Sequence, residues 1–170
     1  GDVWVLDLAS RTLSKLGFRG GVGADWTRDG RTIVGASFGR GIETVAADGS
    51  DGSSVHQLKG KRDTVSSVAP MASVTVSPDG KELVIGTAFG VGFDLVTRHL
   101  EGDTAATPWL ATPATELAPR FSPDGHWLAY SSDESGRQEV YIQPFPGPGR
   151  RLQVSTDGGE QPTWSADGRL

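Results

Sequence analysis

The chain has 170 residues, 36% of them apolar, with 24 glycines, 10 prolines and no cysteine, so disulfides and thiolate metal sites are excluded and the fold must stand on packing. Its net charge of -5 argues against the basic stripe of a nucleic-acid surface and against a polybasic membrane anchor. No run approaches the ~18 apolar residues of a membrane span, so this segment is not expected to insert in a bilayer.

Val3 to Ser10 and then Thr12 to Leu16 read as two strands, the third and fourth of a repeat whose first half is missing, assigned to residues 1–18. The first full repeat, 19–60, carries Trp26-Thr27-Arg28-Asp29-Gly30-Arg31. The second, 72–112, carries Val76-Ser77-Pro78-Asp79-Gly80-Lys81. The third, 117–156, carries Phe121-Ser122-Pro123-Asp124-Gly125-His126. Trp164-Ser165-Ala166-Asp167-Gly168-Arg169 opens a further one over 160–170. The aspartates lie 50, 45 and 43 positions apart, close to the ~40 to 45 of a four-stranded propeller blade.

Each of these segments has the chemistry of a hairpin turn. Asp tolerates the third turn position and can bond its own backbone, and Gly takes the positive φ that ends the loop. Asp29, Gly30, Asp79, Gly80, Asp124, Gly125, Asp167 and Gly168 are therefore read as structural turn residues. The second strands that follow, Thr32 to Ser37, Glu82 to Thr87 and Trp127 to Ser132, are apolar runs without clean alternation, as expected of strands covered on both faces. Third strands are expected over Ile42 to Ala46, Val91 to Val96 and Glu139 to Gln143. Fourth strands are expected over Val55 to Leu58, Pro108 to Ala111 and Arg151 to Ser155. Lys59 to Met71 reads as a polar surface excursion.

These residues resemble the TolB-type, WD40-like propeller repeat, a Trp or Phe followed by Ser-Pro-Asp-Gly and an apolar strand. The resemblance implies an all-β fold, a β-propeller of four-stranded antiparallel blades, present as an open arc of about three and a half to four blades. Pro119-Arg120-Phe121-Ser122-Pro123-Asp124-Gly125 through Glu139-Val140-Tyr141-Ile142-Gln143 to Thr156-Asp157-Gly158-Gly159 is similar to the last blades of propellers attached to bacterial membrane-anchored serine/threonine kinases. That implies a sensory or protein-contacting role and an extracytoplasmic or periplasmic place. Such repeats also serve in periplasmic TolB and in the propellers that gate prolyl-oligopeptidase-like peptidases. The ratio of 12 Arg to 4 Lys and the absence of Asn fit a GC-rich bacterial genome.

Catalytic patterns fail on their context. Gly35-Ala36-Ser37-Phe38-Gly39 has the letters of a nucleophile elbow but leads into another strand, where the elbow requires a helix. Lys61-Arg62-Asp63 lacks the His and the later Asn of a kinase catalytic loop. His56, His99 and His126 fall at unlike places in the repeat and form no metal-ligand spacing. Asp48, Asp51, Asp133, Glu134 and Asp157 lie in turns without the Asp ladder of a calcium loop. Trp4, Trp26, Trp109, Trp127 and Trp164 are read as core packing, with a recognition face as the rival. No catalytic, cofactor or metal residue is assigned. The expected function is non-catalytic binding of a protein or peptide, through the joins before the first strands and the loops between second and third strands.

Overall fold

A computed structural model describes residues 3–16, 21–37, 41–50, 54–56, 71–89, 92–101 and 105–170. Asp51, Phe38 to Arg40 and most of the Lys59 to Met71 excursion, with its Lys61-Arg62-Asp63 run, lie outside them. The described residues form strands and turns and contain no helix able to cross a membrane.

The strands are β1 (Trp4–Asp7), β2 (Thr12–Lys15), β3 (Gly21–Trp26), β4 (Thr32–Ser37), β5 (Gly41–Ala46), β6 (Ser54–His56) and β7 (Met71–Val76). They continue as β8 (Glu82–Phe89), β9 (Gly92–His99), β10 (Thr107–Leu110), β11 (Glu116–Phe121), β12 (Trp127–Ser132), β13 (Glu139–Pro144) and β14 (Leu152–Gln153). Strands β3 to β6, β7 to β10 and β11 to β14 make three four-stranded antiparallel meanders in chain order, and β1 pairs with β2 alone. The sheets stand one behind another in an open arc.

Three apolar cores fill the spaces between successive sheets. Val3, Val5 and Leu16 meet Ile33 and Val45 in the first. Val34, Ala36 and Ile42 meet Val74, Val76, Leu83, Ile85 and Val96 in the second. Val84 and Leu95 meet Phe121, Leu128, Tyr130 and Tyr141 in the third. Neighbouring residues of a strand point to opposite faces, so Leu83 and Ile85 serve one core while Val84 serves the next. This is why the second strands read as continuous apolar runs: each is buried on both sides.

The hairpin turn between the first and second strand is closed in the same way in all three four-stranded sheets, and the 165–169 segment makes a similar turn one residue tighter. Gly30, Gly80, Gly125 and Gly168 have φ of 68°, 74°, 76° and 82°, the left-handed region that costs glycine nothing. The hydroxyl two residues before the Asp donates to its carboxylate, at 2.7 Å from Thr27 to Asp29 and 2.5 Å from Ser77 to Asp79, from Ser122 to Asp124 and from Ser165 to Asp167. That hydroxyl also accepts the N–H five residues on, from Thr32 at 3.1 Å, Glu82 at 2.9 Å and Trp127 at 3.0 Å, and in the last turn the N–H four residues on, from Arg169 at 3.0 Å.

Two expectations are corrected. Core packing holds for Trp109, which packs half-buried against the third core with its ring centroid 6.0 Å from that of Tyr130, but not for Trp4 and Trp26, which are 52% and 47% exposed, while Trp127 and Trp164 are half-buried. The buried cores use aliphatic side chains in the first two and add Phe121, Tyr130 and Tyr141 in the third. The further repeat expected over 160–170 forms its turn but no strand, since Arg169 and Leu170 offer too little second strand to build a ladder against residues 160–164.

Candidate functional site

The turns of all four repeats converge on one cavity of about 470 Å³. Its lining includes Asp25, Trp26 and Arg28 from the first repeat, Thr75 and Pro78 from the second, Arg120 and Phe121 from the third, and Thr163 and Trp164 from the start of the next. Asp25, Thr75, Arg120 and Thr163 are the same repeat position, the residue before the large side chain that precedes each turn.

These positions stitch the innermost strands together. Asp25 Oδ2 accepts from the Thr75 hydroxyl at 2.8 Å and from Val76 N at 3.0 Å, and Oδ1 accepts from Trp26 N at 2.9 Å. The Arg120 guanidinium donates to the carbonyls of Pro119 at 2.8 Å and Val74 at 3.4 Å. Trp164 Nε1 donates to Arg120 O at 3.0 Å. Asp25 is thus occupied by donors, whereas Arg120 is held only by neutral carbonyls. Arg28 is exposed, with neither a hydrogen bond nor an ion pair among the described residues. The cavity presents two guanidiniums with no carboxylate partner beside the rings of Trp26, Phe121 and Trp164.

The opposite end of the arc is acidic and tightly tied. The join 111–115 between β10 and β11 passes over the start of β9, where a Cβ on Gly92 would come within 3.2 Å of Ala114 O. Thr112 Oγ1 donates to Glu116 Oε1 and accepts Ala114 N at 3.1 Å, and Thr115 N donates to Asp133 Oδ1 at 2.7 Å. Asp94 and Glu116 are both buried there. The other loops expected to bind at this end, 38–40, 57–70 and 90–91, fall outside the described residues.

The remaining sequence candidates have structural employment. Ser37 ends β4, and Gly41 begins the next strand. His99 Nδ1 lies 2.6 Å from Glu82 Oε1, and His126 is exposed beside its turn. Asp48 Oδ1 accepts from Ser50 N at 2.8 Å, Glu134 pairs with Arg151 at 2.6 Å, and Asp157 pairs with Arg137 at 3.2 Å. Among the described residues no three His, Asp or Glu side chains could hold a metal ion.

Two features escaped the sequence reading. The polar residue before each Trp, Val or Phe is a repeat signal visible in the alignment of the four segments. The Asp94 and Glu116 pairing has no such signal, because it depends on how two sheets stack.

No family model and no curated protein matches the chain by sequence. Solved structures do. TolB from Acinetobacter baumannii is 21% identical over 98% of this chain and 41% of its own length, with a TM-score of 0.72. The Cps50 (Swd1) β-propeller domain of Myceliophteria thermophila is 12% identical over 99% of this chain and 54% of its own, with a TM-score of 0.68. This chain is an arc of a β-propeller. It resembles the TolB and WD40 kinds, and it spans about half or less of the length of those two structures. The tricorn protease, 17% identical over 86% of this chain and 16% of its own with a TM-score of 0.59, contains a similar arc. In propeller terms the cavity lies where the turns between first and second strands of the blades gather, and the Asp94 and Glu116 pair lies across a blade joint at the other end.

Proposed function

We propose that the chain is a non-catalytic binding or sensor module for a protein or peptide, carried in a larger bacterial protein such as a receptor-like serine/threonine kinase. The observation that supports this most is the cavity to which four successive repeats contribute the same short segment. A surface built by repetition can meet one ligand at several places, and this one lies at the end of the first-to-second-strand turns, not among the joins and second-to-third-strand loops expected from the sequence. Arg and Trp are the side chains that most often dominate protein interfaces, and both stand here with the guanidinium charge of Arg28 uncompensated. Of the hydroxyls that line it, Thr75 donates to Asp25 and Ser77 and Ser122 donate to Asp79 and Asp124, and no histidine is among the described lining residues.

The kinase attachment rests on the likeness of residues 119–159 to kinase-linked propellers. A peptidase-gating propeller and a free TolB-like periplasmic protein are the alternatives, and the flanking coding sequence separates the three. A kinase domain and one membrane span upstream support the first.

The binding role is tested by selecting a random displayed peptide library against the immobilised chain. Enrichment of peptides with Asp or Glu beside an aromatic residue is expected, with retention falling at least about tenfold on Arg28→Glu, as for loss of one charge-assisted contact. No enrichment over a blank surface overturns the reading. Ester, peptide or ATP turnover that disappears in Ser37→Ala overturns its non-catalytic part.

A further inference from the structure

At the end of the arc away from the turns, two buried acids meet across the joint between the second and third four-stranded sheets. Asp94 sits on β9 and Glu116 opens β11; they are 3% and 0% exposed, and their carboxyls lie against one another. Glu116 Oε1 receives the Thr112 hydroxyl. Glu116 Oε2 and Asp94 Oδ1 have no partner at hydrogen-bonding geometry among the described residues.

The relief for negative charge comes from one residue of the join: the Thr112 backbone N–H acts on Asp94 and the Thr112 hydroxyl on Glu116, and burial outweighs both. The charges that act most on Glu116 are Asp94 from β9 and Glu134 from the turn between β12 and β13, both acidic. The Glu134 carboxylate is engaged by Arg151 Nη1 at 2.6 Å. From β12 the buried Tyr130 hydroxyl faces the same group, beside the Arg151 guanidinium that also engages Glu134. Two like charges in contact in a dry site are costly, and such pairs resolve the cost by keeping one proton. Neutral Glu116 can donate that proton to the Asp94 carboxylate and so employ the idle lone pairs.

We propose that Asp94 and Glu116 form a proton-operated latch on this blade joint, in which one shared proton holds β9 against β11 and its loss loosens the 111–115 join. The join is the place to feel it. Its Thr112 bonds Glu116 directly, and its Thr115 N–H is anchored to Asp133 of the next loop. This holds whatever binds at the turn end.

Burial above all, against the pull of the Thr112 hydrogen bond and aided by the Asp94 charge, pushes the Glu116 carboxyl up to about 7. Burial raises Asp94 as well. An acid raised in this way keeps its proton in the folded chain while the unfolded chain releases it, so its stabilisation is complete below the ordinary carboxyl value near 4.5 and is lost as pH climbs to about 7.

The test is the thermal midpoint of the chain between pH 5 and 8.5, with backbone hydrogen exchange read at residues 112–118. Wild type should lose several degrees on going to the alkaline side, with exchange rising first in 112–118, and Glu116→Gln, which cannot ionise, should flatten both. An unchanged pH profile in Glu116→Gln overturns the latch. Should that variant fail to fold, the wild-type Glu116 carboxyl is followed by carbon NMR with Asp94→Asn as comparison. A midpoint near 7 that falls in Asp94→Asn supports the latch, and a wild-type midpoint below pH 5.5 overturns it.

Discussion

Asp25 Oδ2 accepts a 2.8 Å hydrogen bond from the hydroxyl of Thr75, 50 residues further on, and so joins β3 to β7 across a blade joint. The same oxygen takes Val76 N at 3.0 Å. Thr75 is 2% exposed, so Asp25→Ala leaves a buried hydroxyl and a backbone N–H without their acceptor. The expected cost is about 1–3 kcal/mol, read as a lower urea midpoint at unchanged slope. Thr75→Val, which removes the hydroxyl as well as its need, should cost less than Asp25→Ala.

The turn glycines differ in what a side chain would meet. At Gly80 a Cβ meets nothing within 4 Å, so the penalty there is the positive φ alone. At Gly125 it also comes within 3.3 Å of Pro78 Cδ, from the turn of the preceding repeat. Gly80→Val should therefore destabilise by about 1–3 kcal/mol, and Gly125→Val by more. Equal melting shifts for the two would show that the Pro78 contact is irrelevant.

In the Ser77 and Ser122 turns the hydroxyl that closes the turn also holds its aspartate ionised. The Ser122 hydroxyl first, then the His126 N–H, lowers the Asp124 carboxyl from its ordinary value of 3.8, and Ser77 with the Lys81 N–H does the same for Asp79. A lowered acid stabilises the fold above its unfolded value and loses that contribution as pH falls from there through its folded value. Ser122→Ala should cost about 1–2 kcal/mol at neutral pH, since Trp127 N loses its acceptor. Its deficit relative to wild type should narrow below pH 3.8. Denaturant titrations at pH 7 and pH 3 measure both.

Much of the fold is legible because its signals are local. Thr32–Ser37 and Trp127–Ser132 are the strands their sequences announce, since a turn of Ser-Pro-Asp-Gly type fixes where the next strand begins. The apolar runs of β4, β8 and β12 report burial on both faces directly. What the sequence conceals is set by the spacing between sheets. A large indole looks like core in one dimension, yet Trp26 lies at the cavity and Trp4 on an open face, while Trp109 does pack against the third core. Asp94 and Glu116 are separate polar letters on two strands until the stacking of β9 against β11 brings them together.

The last expectation concerns that open face. In the β1 and β2 hairpin, Val3 and Val5 pack inward with Leu16 against Ile33 and Val45. The alternate residues point the other way: Leu6 and Leu13 stand directly opposite one another, 53% and 58% exposed. Trp4, opposite Lys15, extends the same face, with the Lys15 ammonium 5.9 Å from the ring centroid. Between the four-stranded sheets the corresponding faces are covered by a neighbour, and a bare apolar face of this kind promotes association. The 170-residue chain should self-associate in sedimentation experiments as concentration rises. Leu6→Glu with Leu13→Glu should shift it to monomer with little change in melting, since neither side chain belongs to a core and like charges opposite one another cost only a few tenths to about 1 kcal/mol. A wild-type chain that stays monomeric at every concentration would show that this face does not associate.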